Sequence, residues 1–438
     1  MEMHNIELPA DIQKLNVLRV NIKLMKLLGL LKTYDEKTSP WKKLAHRCLK
    51  YSIGLPVFIF SLGAIVEAYR FRNYPLEIVQ AITGFLSALK ALIKYLVFII
   101  HEEKFKEITE RCDGNFIIEG NDLTERERKI IEKDMAISRK LTHFVWLMSF
   151  LMLSGMAFNV FPPSEEEIQN SERDYVPAWN SLIRFAIPFQ SAKSPYFFPR
   201  VIYSVFVEMC ACVPFILLNT MNVLVITYLT TQFAVLSDSL KNIEENVLVI
   251  LEREGSQIVP QGKARLEEGW QENRELLTRD DLYHKKMEMY LKRCIKHHQK
   301  LLQFFEILKN AMRTTLFVDT LVASGLIAMM SSSFLIATDF VAVMENLGAL
   351  TFITMELWFF CWIATRLSTQ SEKIGEAIWS SPWYKQRVKF QQHSKFILLR
   401  AQKPVGFSID IFGTVSLELF SKIMNTAYSY FTIIKEMI

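Results

Sequence analysis

The chain has 438 residues, 50% of them hydrophobic, 12% aromatic and 22% charged, with a formal net charge of +5, and its mean hydropathy is +0.16. It is too apolar for a disordered chain and more apolar than an ordinary soluble one, which points to a membrane protein. Thirty-two Phe and 18 Met against 15 Gly and 14 Pro exclude collagen-like and low-complexity sequences, and the placement of Lys and Arg, not their small excess, carries the information, so no nucleic-acid partner is implied.

The first 48 residues hold 9 Lys and Arg and lack the basic start, apolar run and small-residue site of a cleaved signal peptide. We read them as a cytoplasmic N-terminal segment. Apolar runs near the length that crosses a ~30 Å hydrocarbon core then fall at residues 49–66, 76–100, 141–160, 201–236, 314–338, 346–365 and 411–434. Seven spans are predicted, in an all-α membrane protein. The connections at 101–140, 237–300 and 366–400 hold 9, 12 and 7 Lys and Arg, whereas 67–75, 161–196 and 339–345 hold 2, 3 and none. The positive-inside rule therefore puts the N-terminus inside and, after seven crossings, the C-terminus outside.

Within the second span, Lys90 lies deep, while Lys94 is close enough to the cytoplasmic end to snorkel. The external loop 161–199 mixes acids, aromatics and prolines and reads as a lid or as a plain connector. Glu208 lies in the fourth span and Glu356 in the sixth. Counted from the outer ends, Lys90, Glu208 and Glu356 sit at roughly 21, 14 and 15 Å at helical rise. We expect Lys90 to meet Glu208 or Glu356, or each charge to be hydrated separately. Arg313 and Asp319 at the fifth span are six residues apart and need separate partners.

The chemistry of enzymes is not legible: phosphate-binding glycine loops, nucleophile elbows and zinc motifs are missing from the sequence. His297 and His298 are adjacent and point to different helix faces. The six cysteines show no metal-ligand spacing and no disulfide framework, so neither a metal nor another cofactor is expected. The fourth and fifth helices continue their periodicity into charged sequence and should project beyond the bilayer. We divide the chain into residues 1–48, spans one to four over 49–236, a cytoplasmic loop with helix extensions over 237–313, spans five and six over 314–365, a cytoplasmic segment over 366–410, and the last helix with a short tail over 411–438.

In that last helix Glu418, Lys422, Asn425, Ser429 and Thr432 recur at spacings of four, three, four and three, one polar stripe on a helix otherwise made of Leu, Phe, Ile, Met and Tyr. Such a stripe does not face lipid. It faces other protein, or lines water about an oligomer axis with Ile433, Glu436 and Met437 forming an apolar constriction with an acidic rim.

The C-terminal sequence LLRAQKPVGFSIDIFGTVSLELFSKIMNTAYSYFTII, with Pro404, Phe412, Leu417, Phe420, Tyr428, Ser429 and Tyr430 in place, resembles the insect odorant receptors. ALIKYLVFIIHEEKFKEI resembles the usual end of their second helix and IWSSPWY the lead-in to their final helix pair. Gustatory receptors end differently, and the tail departs from that of the co-receptor Orco, so the chain looks like a ligand-tuning subunit. The resemblance implies an odorant-gated, non-selective cation channel in the plasma membrane of a sensory dendrite, a heterotetramer with Orco embedded in lipid and permeable to cations. By carry-over Ile433 is the gate position, and Glu436 and Met437 form the outer mouth. The implied ligand site lies in the outer half of the bundle, at Thr83 and Ser87, Met152, Gly155, Phe158 and Asn159, Tyr203, Phe206, Met209 and Val213, and Met355 and Trp358. A small volatile ester, alcohol or terpenoid suits it. A gustatory-receptor-like channel and a metabotropic seven-helix chemoreceptor are the alternatives.

Overall fold

The computed structural model describes residues 17–31, 39–70, 72, 75–113, 124–158, 197–254, 270–335, 340–409 and 412–437, some by backbone alone. The described helices are α1 Val17–Leu27, α2 Pro40–Arg70, α3 Pro75–Ile100, α4 Glu102–Asp113, α5 Glu125–Phe158, α6 Phe197–Lys241, α7 Ile243–Arg253, α8 Trp270–Ser333, α9 Phe340–Ser380, α10 Val388–Ala401 and α11 Leu417–Met437. Among the described residues the only sheet is a two-stranded hairpin, β1 Ser408–Ile409 with β2 Gly413–Thr414.

Local chemistry sets several helix ends. Pro75 opens α3, where a missing N–H costs nothing. Thr124 and Glu127 form a reciprocal capping box at α5: the Glu127 amide donates to Thr124 Oγ1 (3.3 Å) and the Thr124 amide to Glu127 Oε2 (2.9 Å). Inside the apolar helices, hydroxyls are satisfied by carbonyls one turn back, as at Ser61, Thr220 and Thr230. Pro56 and Pro214 are accommodated within α2 and α6, as neighbouring helices permit in a membrane.

Length then dictates architecture. At ~1.5 Å per residue, the 64 residues of α8 extend about 96 Å and the 41 of α9 about 62 Å, so both are longer than a bilayer core is thick. Among the described residues, α3, α6, α8 and α9 hold stretches long and apolar enough to cross a membrane. The expected first span falls within α2, the third lies on α5 as far as Phe158, and the seventh lies on α11 from Leu417.

Packing follows from the same apolar faces. α6 is central, against α9, α5, α2 and α3, and α8 packs on α3, α9 and α11. The best-buried layer lies along α6 and α8, where Phe233, Leu236, Met287, Leu291, Leu301 and Phe304 are fully enclosed. By contrast α2 leaves Leu55, Phe58, Leu62 and Val66 exposed, a face suited to lipid. Over residues 412–416, within the expected start of the last span, the chain is still in the hairpin and its exit, and the helix begins at Leu417. Gly413 takes a φ of 80° at β2, a conformation glycine adopts without strain, and the hairpin docks through Phe407, whose ring centroid is 5.3 Å from that of Phe305 on α8.

Candidate functional site: a buried charge lattice and an uncovered last helix

α3 presents Thr83, Ser87, Lys90 and Lys94 at intervals of four, three and four, hence on one face. Thr83 and Ser87 are half-buried, and the enclosed Thr83 hydroxyl makes no hydrogen bond among the described residues. Below them the two lysines enter a lattice spanning four helices. Lys90 Nζ is 2.7 Å from Glu356 Oε2 on α9, and Lys94 Nζ is 2.7 Å from Asp319 Oδ2 on α8. Asn219 on α6 accepts from Lys94 (2.6 Å) and donates to Glu356 (3.0 Å).

Two cations and two carboxylates leave the group neutral, which is what makes it tolerable: an uncompensated charge mid-span costs at least ~2.5–3.5 kcal/mol. The Phe215 ring adds its face to both ammonium groups, at 5.2 Å from Lys90 and 4.5 Å from Lys94. Lys90 therefore pairs with Glu356, one of its two expected partners; the side chain of Glu208 lies outside the described residues. Lys94 does not snorkel. It is 2% exposed, because Asp319 and Asn219 satisfy it within the bundle. The sequence alone does not single out Asp319 or Asn219 as partners, although Asp319 and Glu356 are the acids of spans five and six.

The other expected ligand residues divide by location. Val213 packs partly buried against the core, and Met355 is half-buried. Trp358 is 42% exposed and stacks on Trp362 with ring centroids 6.1 Å apart. Phe206 and Met209 are exposed. Met152, Gly155 and Phe158 lie on α5 and Tyr203 on α6, with side chains outside the described residues, as is Asn159 altogether.

A second polar clamp, unforeseen in the sequence, ties the far end of the same helices. Arg366 on α9 donates to Asp134 on α5, and Thr231 on α6 donates to the other Asp134 oxygen at 3.0 Å. One residue before Arg366, the Thr365 hydroxyl oxygen accepts the amide of Leu417 at 2.9 Å, capping the start of α11.

α11 buries Leu419, Ile423 and Ala427, one stripe at intervals of four, against α8 and α9. Opposite it, Glu418, Lys422, Asn425, Ser429, Ile433 and Glu436 are exposed, and Met437 ends the helix with its side chain undescribed. Glu418 and Lys422 pair with each other at 2.7 Å. The uncovered face is thus polar at its start and apolar with charges at its end. Among the described residues no three His, Cys, Asp or Glu side chains gather to hold a metal.

Known proteins resemble this chain in sequence and in fold. The profile of the 7tm Odorant receptor family matches residues 74–428. Odorant receptor Or1 of Anopheles gambiae is 21% identical over 95% of this chain and 99% of its own length. Odorant receptor Or2 of the same mosquito is 29% identical over 33% of this chain and 38% of its own. The olfactory receptor OR5 of Machilis hrabei, solved in complex with eugenol, superposes with a TM-score of 0.73 at 15% identity over 98% of both chains; at that identity the likeness speaks for the fold. With the family profile covering most of its length and the fold shared, the chain belongs to the insect odorant receptor family, as an all-α membrane protein.

Proposed function

We propose that this chain is the odorant-binding subunit of a ligand-gated, non-selective cation channel in the plasma membrane, assembled as a heterotetramer with the co-receptor Orco in sensory dendrites. The observation that carries the reading is the last helix. One stripe of α11 is held by α8 and α9, while Glu418, Lys422, Asn425, Ser429 and Ile433 remain uncovered. In a membrane such a face requires water or another subunit, and an axis lined by four such helices supplies both.

In this reading the N-terminus is inside and the C-terminus outside, with 237–313 and 366–410 as the cytoplasmic anchor. Ile433 gates by dewetting, and Glu436 with Met437 forms the mouth. The ligand occupies the outer half between α3, α5, α6 and α9. Ser87, Met152, Gly155, Phe158, Phe206, Met209, Val213, Met355 and Trp358 supply shape, and Thr83, Asn159 or Tyr203 one hydrogen bond. The unsatisfied Thr83 hydroxyl supports a neutral volatile bearing a single polar group, an ester, alcohol or terpenoid. Ligand affinity for the open arrangement then drives opening.

The test is whole-cell current from cells expressing the chain with and without Orco, during a screen of volatile esters, alcohols and terpenoids that includes eugenol. The expected result is a fast cation current that needs Orco and whose ion selectivity changes in Glu436→Gln. An odour response that disappears when G proteins are inhibited would overturn the reading.

A further inference from the structure

The four lattice charges form a square that admits two pairings. The direct pairs, Lys90 with Glu356 and Lys94 with Asp319, are each 2.7 Å apart. The crossed pairs, Lys90 with Asp319 and Lys94 with Glu356, are each 3.7 Å apart. A relative slide of one ångström (3.7 − 2.7) exchanges them, and because both pairings are neutral, no charge moves into lipid. Two further features suit the exchange. Asp319 Oδ1, the atom nearest Lys90 in the crossed pairing, is enclosed and makes no hydrogen bond among the described residues. Asn219 bridges Lys94 and Glu356, its Oδ1 accepting from the ammonium and its Nδ2 donating to the carboxylate; both groups need those same roles in either pairing, so the bridge stays in place while the pairs exchange.

The square also lies at a junction. α3, α6 and α9 carry the proposed ligand residues, while Asp319 is on α8, which packs along α11. Two residues before Asp319, the Phe317 ring faces Phe412 just ahead of α11, with centroids 6.4 Å apart. On α9, Glu356 is nine residues, about 13 Å at helical rise, from Thr365, which caps α11.

We propose that exchange between the two pairings is the step by which ligand occupancy among α3, α6 and α9 reaches the last helix, with Lys90, Lys94, Asp319 and Glu356 as its positioning residues. This rests on the channel reading above. The two-state element that such coupling needs is the square itself, biased at one corner by the ligand and at the other by α8.

Charge reversal separates an exchanging square from a static anchor. The double variant Lys90→Glu with Glu356→Lys keeps both direct pairs opposite in sign but makes both crossed pairs like-charged. The quadruple variant, adding Lys94→Asp and Asp319→Lys, restores attraction along all four sides. Each is expressed with Orco, surface protein is quantified, and current is recorded with the volatile that drives the unmodified chain most strongly in the panel. The double variant is expected to reach the surface yet lose about tenfold or more of its maximal current, and the quadruple variant to recover most of it. Full current in the double variant would overturn the exchange.

If the quadruple variant fails to reach the surface, the neutral pair Lys90→Gln with Glu356→Gln, which removes one direct pair and both crossed ones, is expected to lose current to a similar degree; undiminished current from it would likewise overturn the proposal. Melting of the purified chain distinguishes the failure of the two readings. Silence of the unmodified chain beside a working Orco would count against the channel reading. A double variant that melts as low as Lys90→Glu alone would overturn the pairing itself.

Discussion

At the scale of single residues, the informative atoms are polar ones in apolar places. Thr83 offers a hydroxyl that nothing described in the protein uses. The isosteric Thr83→Val therefore leaves folding intact, while a ligand held by that hydroxyl loses a bond of net ~1 kcal/mol, about fivefold in half-maximal concentration. A dose-response series on esters and on hydrocarbons of matched size checks this, and the hydrocarbons should not respond to the substitution. His298 lies well before the apolar part of α8, its ring edge-on to Phe233 at 6.3 Å. Burial, then the nearby Arg400 charge, pushes its imidazole down to about 4. The unfolded chain takes up that proton near the ordinary value of about 6.5, so between those values the unfolded state holds the extra proton. Stability is complete above about 6.5 and declines as pH falls toward 4, by about 3 kcal/mol at most from this group. Melting of the detergent-solubilised protein across that range should show the decline, and His298→Leu should flatten it.

At the scale of elements, helix ends decide how α9 and α11 are joined. The α11 start is capped from another helix, by Thr365. Thr365→Val should loosen the first turn at a cost of ~1 kcal/mol, visible as faster amide exchange at Leu417, while Thr365→Ser should behave as the unmodified chain. Such a cap was not legible in the sequence, because residues 365 and 417 become neighbours only when α9 and α11 pack. The apolar spans were legible, since length and composition alone fix a membrane helix, and so was the polar face of α11, since a period of 3.6 survives any tertiary context. Lys94 shows the opposite case: its distance from the span end allowed it to reach water, but Asn219 and Asp319, both distant in sequence, hold it inside. The hairpin at 408–414 was hidden for a related reason. Phe412 and Val415 read as the start of a span, whereas Phe412 packs on Phe317 of α8 ahead of the last helix.

At the scale of the whole molecule, two described groups of charges are balanced within themselves. The lattice sums to zero, and so does the exposed pair at the start of α11, where Glu418 and Lys422 lie 2.7 Å apart. If that face lines a conduit, Glu418 and Lys422 together add no net fixed charge to its wall, and the acidic side chain at its outer end is Glu436. Lys422→Gln would leave Glu418 uncompensated and put one negative charge on the wall. Its field is screened within about 8 Å at 0.15 M salt and reaches about 30 Å at 0.01 M. The variant should therefore raise cation over anion permeability strongly in dilute salt and only slightly at physiological strength, read as a shift in reversal potential under a salt gradient. Glu418→Gln should move the reversal potential the other way. If neither variant shifts it in dilute salt, the exposed stripe of α11 does not face the permeating ions.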